Sequence, residues 1–331
     1  MKLATYRAPN QKLGLVDTEA GVVFDLAAAA EARRRPEAAF ASMLAFIEAG
    51  APALDAARAL FAAAGTDQRF CTPIAQADLL APIPIPPQIR DFSVFPMHIK
   101  QAPRGMRRLL ARRDGNEAAA LAMKAEAEIP QAYLDRPIYY ITNRFSVVGT
   151  GATITWPRYS TIMDFELELG IVIGRGGANI ARENAREHIF GYTIFNDFSA
   201  RDRQADEMGG RLGPAKGKSF DTGNAIGPWI VTADEIPDPY QLKMSVRVNG
   251  ATWTTATPAD RLHSFEDMIA YVSEDETLHP GEIFGSGTMS NGCGLEMDRY
   301  LSDGDVIELE VEKIGVLKNK VVRGGTAPAS P

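Results

Sequence analysis

The chain has 331 residues, of which 45% are hydrophobic and 23% charged, a composition typical of soluble globular proteins. Its formal net charge of −7 argues against a nucleic-acid-binding protein, which would normally carry a basic bias. The two cysteines are too few for a disulfide framework, the first residues lack the apolar core of a signal peptide, and no run approaches the roughly 20 apolar residues of a membrane span. We therefore expect a cytoplasmic protein with one large domain and a small accessory one.

Residues 1–80 are predicted to form a small N-terminal β/α domain. Three short strands are expected within residues 2–26, and two alanine-rich helical patterns follow, each closing at a glycine. Four prolines within residues 79–92 favour a stiff, extended connector. We place the domain boundary there and assign residues 81–331 to a second, larger domain.

The second domain opens with a basic helical insert over residues 98–129. The insert could clamp an anionic substrate or present a solvated helix face, and its cations are Lys100, Arg104, Arg107, Arg108, Arg112 and Arg113. From Pro137 onward, strand signals separated by turns dominate, with one short helix capped by Ser264. Many strands with few helices predict a β-rich roll or barrel, and the last segment, residues 324–331, is expected to fray.

Three acids recur at every second position within residues 160–174, and an almost purely apolar run follows at once. This alternation places Asp164, Glu166 and Glu168 on one face of a strand. Carboxylates crowded on a face that leads into a core repel each other and resist desolvation, so a bound divalent cation would make the arrangement tolerable. The alternative is the solvated face of a strand, which alternating acids more often mark.

Polar groups also stand at the edges of other apolar strands. Asp91 precedes His98 by seven residues, and Asp197 ends an apolar strand that is followed by FSARDRQ. Ligand sets made only of oxygen select hard cations such as Mg²⁺, Mn²⁺ or Ca²⁺. The candidate ligands for such an ion are Asp91, Glu166, Glu168 and Asp197.

Three blocks of the sequence, MDFELELGIVIG, GYTIFNDFSARDRQ and GKSFDTGN, resemble in this order the fumarylacetoacetate hydrolase family. The similarity covers most of residues 80–320, and the front segment resembles the small N-terminal domain of the family's longer members. The resemblance implies a mixed β-rich α/β fold with a β-roll catalytic domain, and a homodimer. It also implies a Mg²⁺, Mn²⁺ or Ca²⁺ ion that chelates a small anionic 1,3-diketone or 2-oxo acid.

The resemblance, carried over residue by residue, implies the four metal ligands named above and further site residues. His98 falls on the family's catalytic histidine, and Glu296 sits where its dyad glutamate would be. Lys218 and Thr222 match a lysine and a threonine beside the metal. The candidate substrate contacts are Arg107, Tyr140, Gln204 and Thr288.

The sequence departs from the family's patterns near the expected substrate pocket. Ser93 stands where the fumarylacetoacetate enzymes place a tyrosine. Asn143 and Arg144 stand where short decarboxylase or isomerase members usually carry a lysine. We therefore expect a pocket that differs from those of both groups, and the exact substrate stays open.

The predicted activity is hydrolysis of a carbon–carbon bond in a 1,3-diketone or acylpyruvate. His98, oriented by Glu296, would activate water, and Lys218 with Gln204 would stabilise the oxyanion. The alternative within the family is a metal-dependent lyase or isomerase on 2-oxo acids, which could be a decarboxylase, a sugar-acid dehydratase or a tautomerase. A non-catalytic, Ca²⁺-stabilised β module is a third hypothesis from a different class.

Several polar residues are predicted to be structural. Asp164 shares the face of the candidate ligands but is expected to act as a supporting acid. His188, His263 and His279 lie outside the motif blocks. Cys293 has no histidine near it in the sequence and is expected to be a small buried filler.

Overall fold

A computed structural model describes residues 1–324, so nearly all of the terminal segment expected to fray lies outside the described residues. Within that range the strands are β1 (Lys2–Arg7), β2 (Gln11–Asp17), β3 (Val22–Asp25), β4 (Cys71–Pro73), β5 (Asp78–Leu79), β6 (Ile89–Phe92), β7 (Tyr139–Ile141), β8 (Val147–Val148), β9 (Thr153–Trp156), β10 (Met163–Asp164), β11 (Leu167–Ile173), β12 (Ile189–Asp197), β13 (Ser199–Ala200), β14 (Asn224–Thr232), β15 (Met244–Val248), β16 (Ala251–Ala256), β17 (Ile283–Gly285), β18 (Val306–Val311) and β19 (Gly315–Arg323). The α-helices are α1 (Leu26–Ala32), α2 (Met43–Ala49), α3 (Ala51–Ala64), α4 (Pro96–Arg113), α5 (Glu117–Ala122), α6 (Gln131–Asp135), α7 (Arg201–Met208), α8 (Phe265–Val272) and α9 (Gly294–Met297). The mixed, strand-rich α/β fold expected from the sequence is confirmed.

Twelve strands form one sheet in the order β4-β3-β2-β1-β14-β12-β11-β17-β6-β7, with β5 beside β1 and β8 beside β14. A second sheet has the order β16-β15-β18-β19-β9, and β10 pairs with β13. Strands β11 and β12 are buried along their whole length because both faces are covered. Leu169 and Ile171 belong to one apolar cluster, and Val172 and Phe195 belong to another. A strand covered on both faces reads as a continuous apolar run, which explains the sequence of β11.

The three strands predicted at the start of the chain are present, pair with one another antiparallel and continue the sheet of the rest of the chain. Strand β1 pairs with β14, where Leu3 lies opposite Ile230. Helix α2 packs Phe46 edge-to-face against Phe190 of β12, with 6.2 Å between ring centroids. The N-terminal unit therefore shares a sheet and an apolar cluster with the rest of the chain, and the division at residue 80 stays a prediction.

Helix α4 lies against α9 at the position of Gly105. A Cβ atom there would come within 2.2 Å of the backbone oxygen of Leu295, so only glycine allows this approach. Because His98 lies in the first turn of α4 and Glu296 lies in α9, the close approach brings these two residues together.

The five arginines of the basic insert bind the protein itself. Three guanidinium groups donate to the backbone carbonyls of residues 123–125, and they belong to Arg104, Arg107 and Arg108. Arg112 pairs with Asp298, and Arg113 pairs with Asp206. These arginines hold neighbouring segments in place, so neither a substrate clamp nor a purely solvated face describes them. Among residues 1–324, no helix is long and apolar enough to cross a bilayer.

Candidate metal centre and active site

Four buried carboxylates converge where strands β6, β17, β11 and β12 lie side by side. Each offers an oxygen, and these oxygens all lie within 4.8 Å of one another, in Asp91, Glu166, Glu168 and Asp197. Asp91 belongs to β6 and Asp197 ends β12. Glu166 immediately precedes β11, and Glu168 is the second residue of that strand. Their exposed fractions are only 0–5%, which excludes the solvated strand face.

Gly285 of β17 makes room for this cluster. A Cβ atom at this position would lie 2.6 Å from Glu168 Oε2 and 2.8 Å from Asp91 Oδ1. Any larger residue would therefore push the two carboxylates apart, and the sheet needs glycine at the strand that separates them.

Two buried cations partly balance the four carboxylates. The Lys218 ammonium donates to Glu166 Oε2 at 2.6 Å and to Asp197 Oδ2 at 2.5 Å. Arg201 Nη1 lies 2.8 Å from Glu166 Oε1. Burial would raise the pKa of Glu166, but Lys218 and Arg201 outweigh it and lower this pKa below its usual range.

The other side of the cluster carries too much negative charge for the cations present. Burial and the neighbouring Asp197 raise the pKa of Asp91 well above its usual range, and burial and Asp91 do the same to the pKa of Glu168. Within residues 1–324, three cluster oxygens have no hydrogen-bond partner, namely Asp91 Oδ1, Glu168 Oε1 and Asp197 Oδ1. Buried, unpartnered carboxylate oxygens at this spacing fit a hard divalent cation.

The candidate base lies beside this cluster. His98 Nδ1 is 3.4 Å from Glu296 Oε1, and the Glu296 side chain is fully buried. Glu296 also accepts the backbone N–H groups of Asn291 and Cys293, so its carboxylate is fixed before it meets the imidazole. The predicted pairing of His98 with Glu296 is present in the structure, which places the histidine on helix α4 and the glutamate on helix α9.

A cavity of about 1300 Å³ opens over the cluster. Seven of the candidate site residues line it, namely Asp91, His98, Tyr140, Glu166, Gln204, Lys218 and Thr288. Tyr140 donates its hydroxyl to Asp197 Oδ2 at 2.5 Å, and Gln204 Oε1 accepts from Arg201 at 2.8 Å. Apolar side chains of α4 and of the α9 turn, such as Ile99, Met106 and Leu295, form another part of the wall.

Two candidate residues bind to parts of the protein away from the cavity and the carboxylate cluster. Arg107 is exposed and donates to the carbonyl of Ala125, because on α4 it is Met106 and Ala102 that face the cavity. The Thr222 hydroxyl accepts the backbone N–H of Thr155 on the second sheet. The structure therefore places the Arg107 guanidinium away from the cavity, and it binds the Thr222 hydroxyl to the neighbouring sheet.

Arg201 is a functional candidate that sequence reasoning did not single out. Its side chain is 1% exposed, its Nε donates to Asp164 Oδ2 at 2.7 Å, and its Nη2 has no partner among the described residues. It also lines the cavity. The sequence did offer one indication of this role. Arg201 precedes Gln204, a predicted substrate contact, by three residues, and residues three apart lie on the same face of a helix.

Asp164 lies outside the carboxylate cluster, as expected for a supporting acid. It accepts from Arg201 and from the backbone N–H groups of Gly294 and Leu295, so it anchors the start of α9. His188 and His263 bond to backbone carbonyls, and neither lines the cavity.

Cys293 is buried, as predicted, but it does have a histidine neighbour. Its sulfur lies 3.9 Å from His98 Nδ1 and 3.4 Å from Glu296 Oε2. The histidine comes from 195 residues away, so inspection of the neighbouring sequence could not find it.

Comparison with known proteins places this site in context. The family model described as Fumarylacetoacetate (FAA) hydrolase C-terminal matches residues 111–322. The rat mitochondrial oxaloacetate tautomerase Fahd2a is 31% identical over 97% of this chain and 92% of its own length. The oxaloacetate tautomerase YisK of Bacillus subtilis (strain 168) is 34% identical over 61% of this chain and 65% of its own, so the match spans under two thirds of that relative.

Solved structures show the same fold over nearly the whole chain. Maleylpyruvate hydrolase from Sphingobium sp. SYK-6, in complex with manganese(II) and pyruvate, is 25% identical with a TM-score of 0.70, covering 98% of this chain and 100% of the other. A fumarylacetoacetate hydrolase from Exiguobacterium antarcticum is 27% identical with a TM-score of 0.71 at the same coverage.

Proposed function

The chain belongs to the fumarylacetoacetate hydrolase family, and we propose that it is a divalent-metal-dependent enzyme that hydrolyses a carbon–carbon bond of an acylpyruvate or a related 1,3-diketone. The observation that carries this proposal is the His98–Glu296 pair beside the four carboxylates. Hydrolysis needs an activated water molecule, and this pair is suited to provide a general base at the edge of the cavity.

Asp91, Glu166, Glu168 and Asp197 would hold the ion, and their oxygen donors suit Mg²⁺, Mn²⁺ or Ca²⁺. When bound, a divalent ion supplies Lewis-acid polarisation of carbonyl oxygens and a template for the substrate. The neighbouring Lys218 keeps its charge, because Asp197 and Glu166 outweigh the effect of burial and raise the pKa of its ammonium.

Water activation is assigned to His98. With the Nδ1 proton directed to Glu296, the imidazole keeps Nε2 as an acceptor that can take a proton from water. Glu296 holds the ring in this tautomer and stabilises the imidazolium that forms. General-base assistance of this kind contributes roughly 10²–10⁴-fold to the rate.

The remaining polar groups would bind the substrate and the developing oxyanion. Lys218 has a third N–H beyond the two given to Glu166 and Asp197, and Gln204 keeps its amide nitrogen as a donor because its oxygen accepts from Arg201. Water adds to the acyl carbonyl, and the bond from that carbon to the methylene breaks. The electron pair stays on the methylene carbon, which takes a proton to give pyruvate, while the acyl group leaves as a carboxylic acid.

A second candidate is an oxaloacetate tautomerase, which the 31% identity to rat Fahd2a along nearly the full chain favours. That reaction moves a proton between carbon and oxygen and consumes no water. It would use the same carboxylates and the same cavity, so the two candidates differ in what His98 does and in whether oxygen from water enters the product.

The deciding experiment offers the enzyme acylpyruvates, fumarylacetoacetate-like diketones and oxaloacetate with Mg²⁺ or Mn²⁺, in ¹⁸O-labelled water and with EDTA controls. We expect metal-dependent cleavage of an acylpyruvate with one labelled oxygen in the released acid. His98→Asn is expected to lower kcat by about 10²–10⁴-fold while Mn²⁺ affinity is retained. His279→Asn, at an exposed position, is the matched control and should leave the rate unchanged. Oxaloacetate tautomerisation without cleavage of any diketone would contradict the hydrolase and establish the second candidate.

A further inference from the structure

Three different donor atoms meet on the side of the cavity formed by α4 and α9. They are His98 Nδ1, Cys293 Sγ and a carboxylate oxygen of Glu296, all within 4.8 Å of one another. The pairwise distances are 3.9 Å from sulfur to nitrogen, 3.4 Å from nitrogen to Glu296 Oε1 and 3.4 Å from sulfur to Glu296 Oε2.

These distances match the edges of a zinc tetrahedron. Zinc bonds of about 2.0–2.3 Å at tetrahedral angles separate neighbouring donors by about 3.3–3.6 Å. Both distances to Glu296 fall in that range, but Oε1 faces the imidazole and Oε2 faces the thiol, so the carboxylate must turn to present one oxygen to an ion held by all three groups. The distance from sulfur to nitrogen exceeds the range by a few tenths of an ångström. A small rotation of the imidazole, which is the most exposed of the three groups, would close the difference.

The donor chemistry differs from that of the carboxylate cluster. One nitrogen, one sulfur and one oxygen suit Zn²⁺ and other borderline ions, whereas four oxygens suit Mg²⁺, Mn²⁺ or Ca²⁺. Two neighbouring sites that prefer different ions can be filled independently, because Mg²⁺ does not compete for a thiolate.

We propose that His98, Cys293 and Glu296 form a second metal site, which takes Zn²⁺ and is separate from the carboxylate cluster. The Zn²⁺ ion replaces the thiol proton of Cys293, which is released to solvent, and the imidazole proton of His98 moves from Nδ1 to Nε2 so that Nδ1 is free to bind. The three protein donors leave one tetrahedral position for a water molecule.

This site would act as an inhibitory switch, and that consequence rests on the proposed function. Zinc takes His98 Nδ1 and the Glu296 carboxylate, so it stands between the base and the group that orients it. The enzyme would then keep its activating ion and lose water activation, and Zn²⁺ would inhibit without displacing Mg²⁺.

The test uses Co²⁺ as a spectroscopic substitute for Zn²⁺, added to the full chain in excess Mg²⁺. We expect a thiolate-to-cobalt charge-transfer band in the near ultraviolet and tetrahedral d–d bands in the visible, both abolished by stoichiometric Zn²⁺. The chain has only two cysteines, so two single variants assign the band. Cys293→Ser should lose it and weaken Zn²⁺ binding by at least about tenfold, and Cys71→Ser should keep both.

Each outcome bears on the site whether or not the hydrolase proposal holds, because the readout is metal binding. A wild-type protein without a thiolate band, or a band lost in Cys71→Ser and kept in Cys293→Ser, would overturn the proposal. Should Cys293→Ser fail to fold, as circular dichroism would show, the spectrum of Cys71→Ser still decides, because Cys293 is the one thiol left in that variant. In the activity assay, Zn²⁺ is expected to inhibit the wild type at saturating Mg²⁺ and to inhibit Cys293→Ser at least about tenfold less strongly.

Discussion

The two sides of the site are built in different ways. We call the four carboxylates of Asp91, Glu166, Glu168 and Asp197, which lie in or beside strands, the floor of the site, and we call helix α4 its wall. Glu168 lies in β11 and Asp197 ends β12, and both side chains are fully buried. Each of these strands pairs with a neighbour on both sides, so sheet register fixes the positions of the two carboxylates. The wall formed by α4 presents Ile99 and Met106 to the cavity and turns its arginines towards other parts of the protein.

The difference shows which charged groups of this molecule belong to the candidate site and which only stabilise the fold. On the floor, buried carboxylates have too few cations and leave oxygens without partners, which favours a metal ion. On the wall, the guanidinium groups meet backbone carbonyls or exposed carboxylates, and His98 is the polar side chain of α4 that reaches the reacting groups. A strongly charged segment of sequence is therefore a poorer guide to a site than a few acids inside an apolar run.

The largest expected effect comes from the floor. Glu168→Gln keeps the side-chain shape but removes one charge from the cluster, and we expect Mn²⁺ affinity to fall by at least about 100-fold with nearly complete loss of activity. Isothermal titration with Mn²⁺ measures the affinity. Glu310→Gln, on the second sheet, is the matched control and should bind Mn²⁺ normally. Equal affinities for the two variants would mean that the carboxylates do not hold the ion.

The same carboxylates are expected to make metal binding depend on pH. Burial and neighbouring carboxylates raise the pKa of Asp91 and Glu168 in the folded chain, so these groups hold protons that the unfolded chain has released. The metal-free fold therefore loses stability as pH rises from the unfolded pKa towards the folded one, and an ion that displaces the protons restores it.

The resulting prediction is that Mn²⁺ affinity rises with pH, by up to about tenfold per unit for each proton displaced. Thermal melts with and without Mn²⁺ between about pH 5.5 and pH 8 measure this as a growing increase in Tm. A shift in Tm that is constant across this range would show that the ion binds carboxylates that are already ionised.

The smallest effect is expected from the wall. Met106→Ala removes apolar contact with the substrate, so KM should rise roughly fivefold to tenfold with kcat unchanged. Arg107→Ala is its neighbour on the same helix and should change KM by less than about twofold, because this guanidinium bonds to Ala125 outside the cavity. Steady-state kinetics on the preferred acylpyruvate measures both. A larger change for Arg107→Ala would restore it as a substrate contact.

Much of the site could be predicted from local sequence. Four acids stand inside or beside apolar strands, namely Asp91, Glu166, Glu168 and Asp197. Burying an acid there is costly unless a cation or a proton compensates for its charge. Matching to the family extended this to His98, Glu296 and Lys218, which the structure brings to the same place. The roles assigned to these residues, the homodimer and the cytoplasmic location stay predictions.

Other features depend on contacts between segments far apart in the chain. Arg107 and Met106 are neighbours in sequence, and only the packing of α4 on α9 decides which of them faces the cavity. Tyr140 reaches Asp197 because β7 ends the sheet beside β6, which no local pattern reveals.

The sequence by itself determined the strand-rich fold and the acids that gather at one end of the central strands, because burial and alternation leave a pattern in each segment separately. The resemblance of three sequence blocks indicated the family. Only the tertiary structure decided that Cys293 meets His98 and Glu296, that Arg201 lies between two acids and that the basic helix turns most of its charge away. Side-chain direction on a helix, and the meeting of groups 195 residues apart, follow from how whole elements pack together.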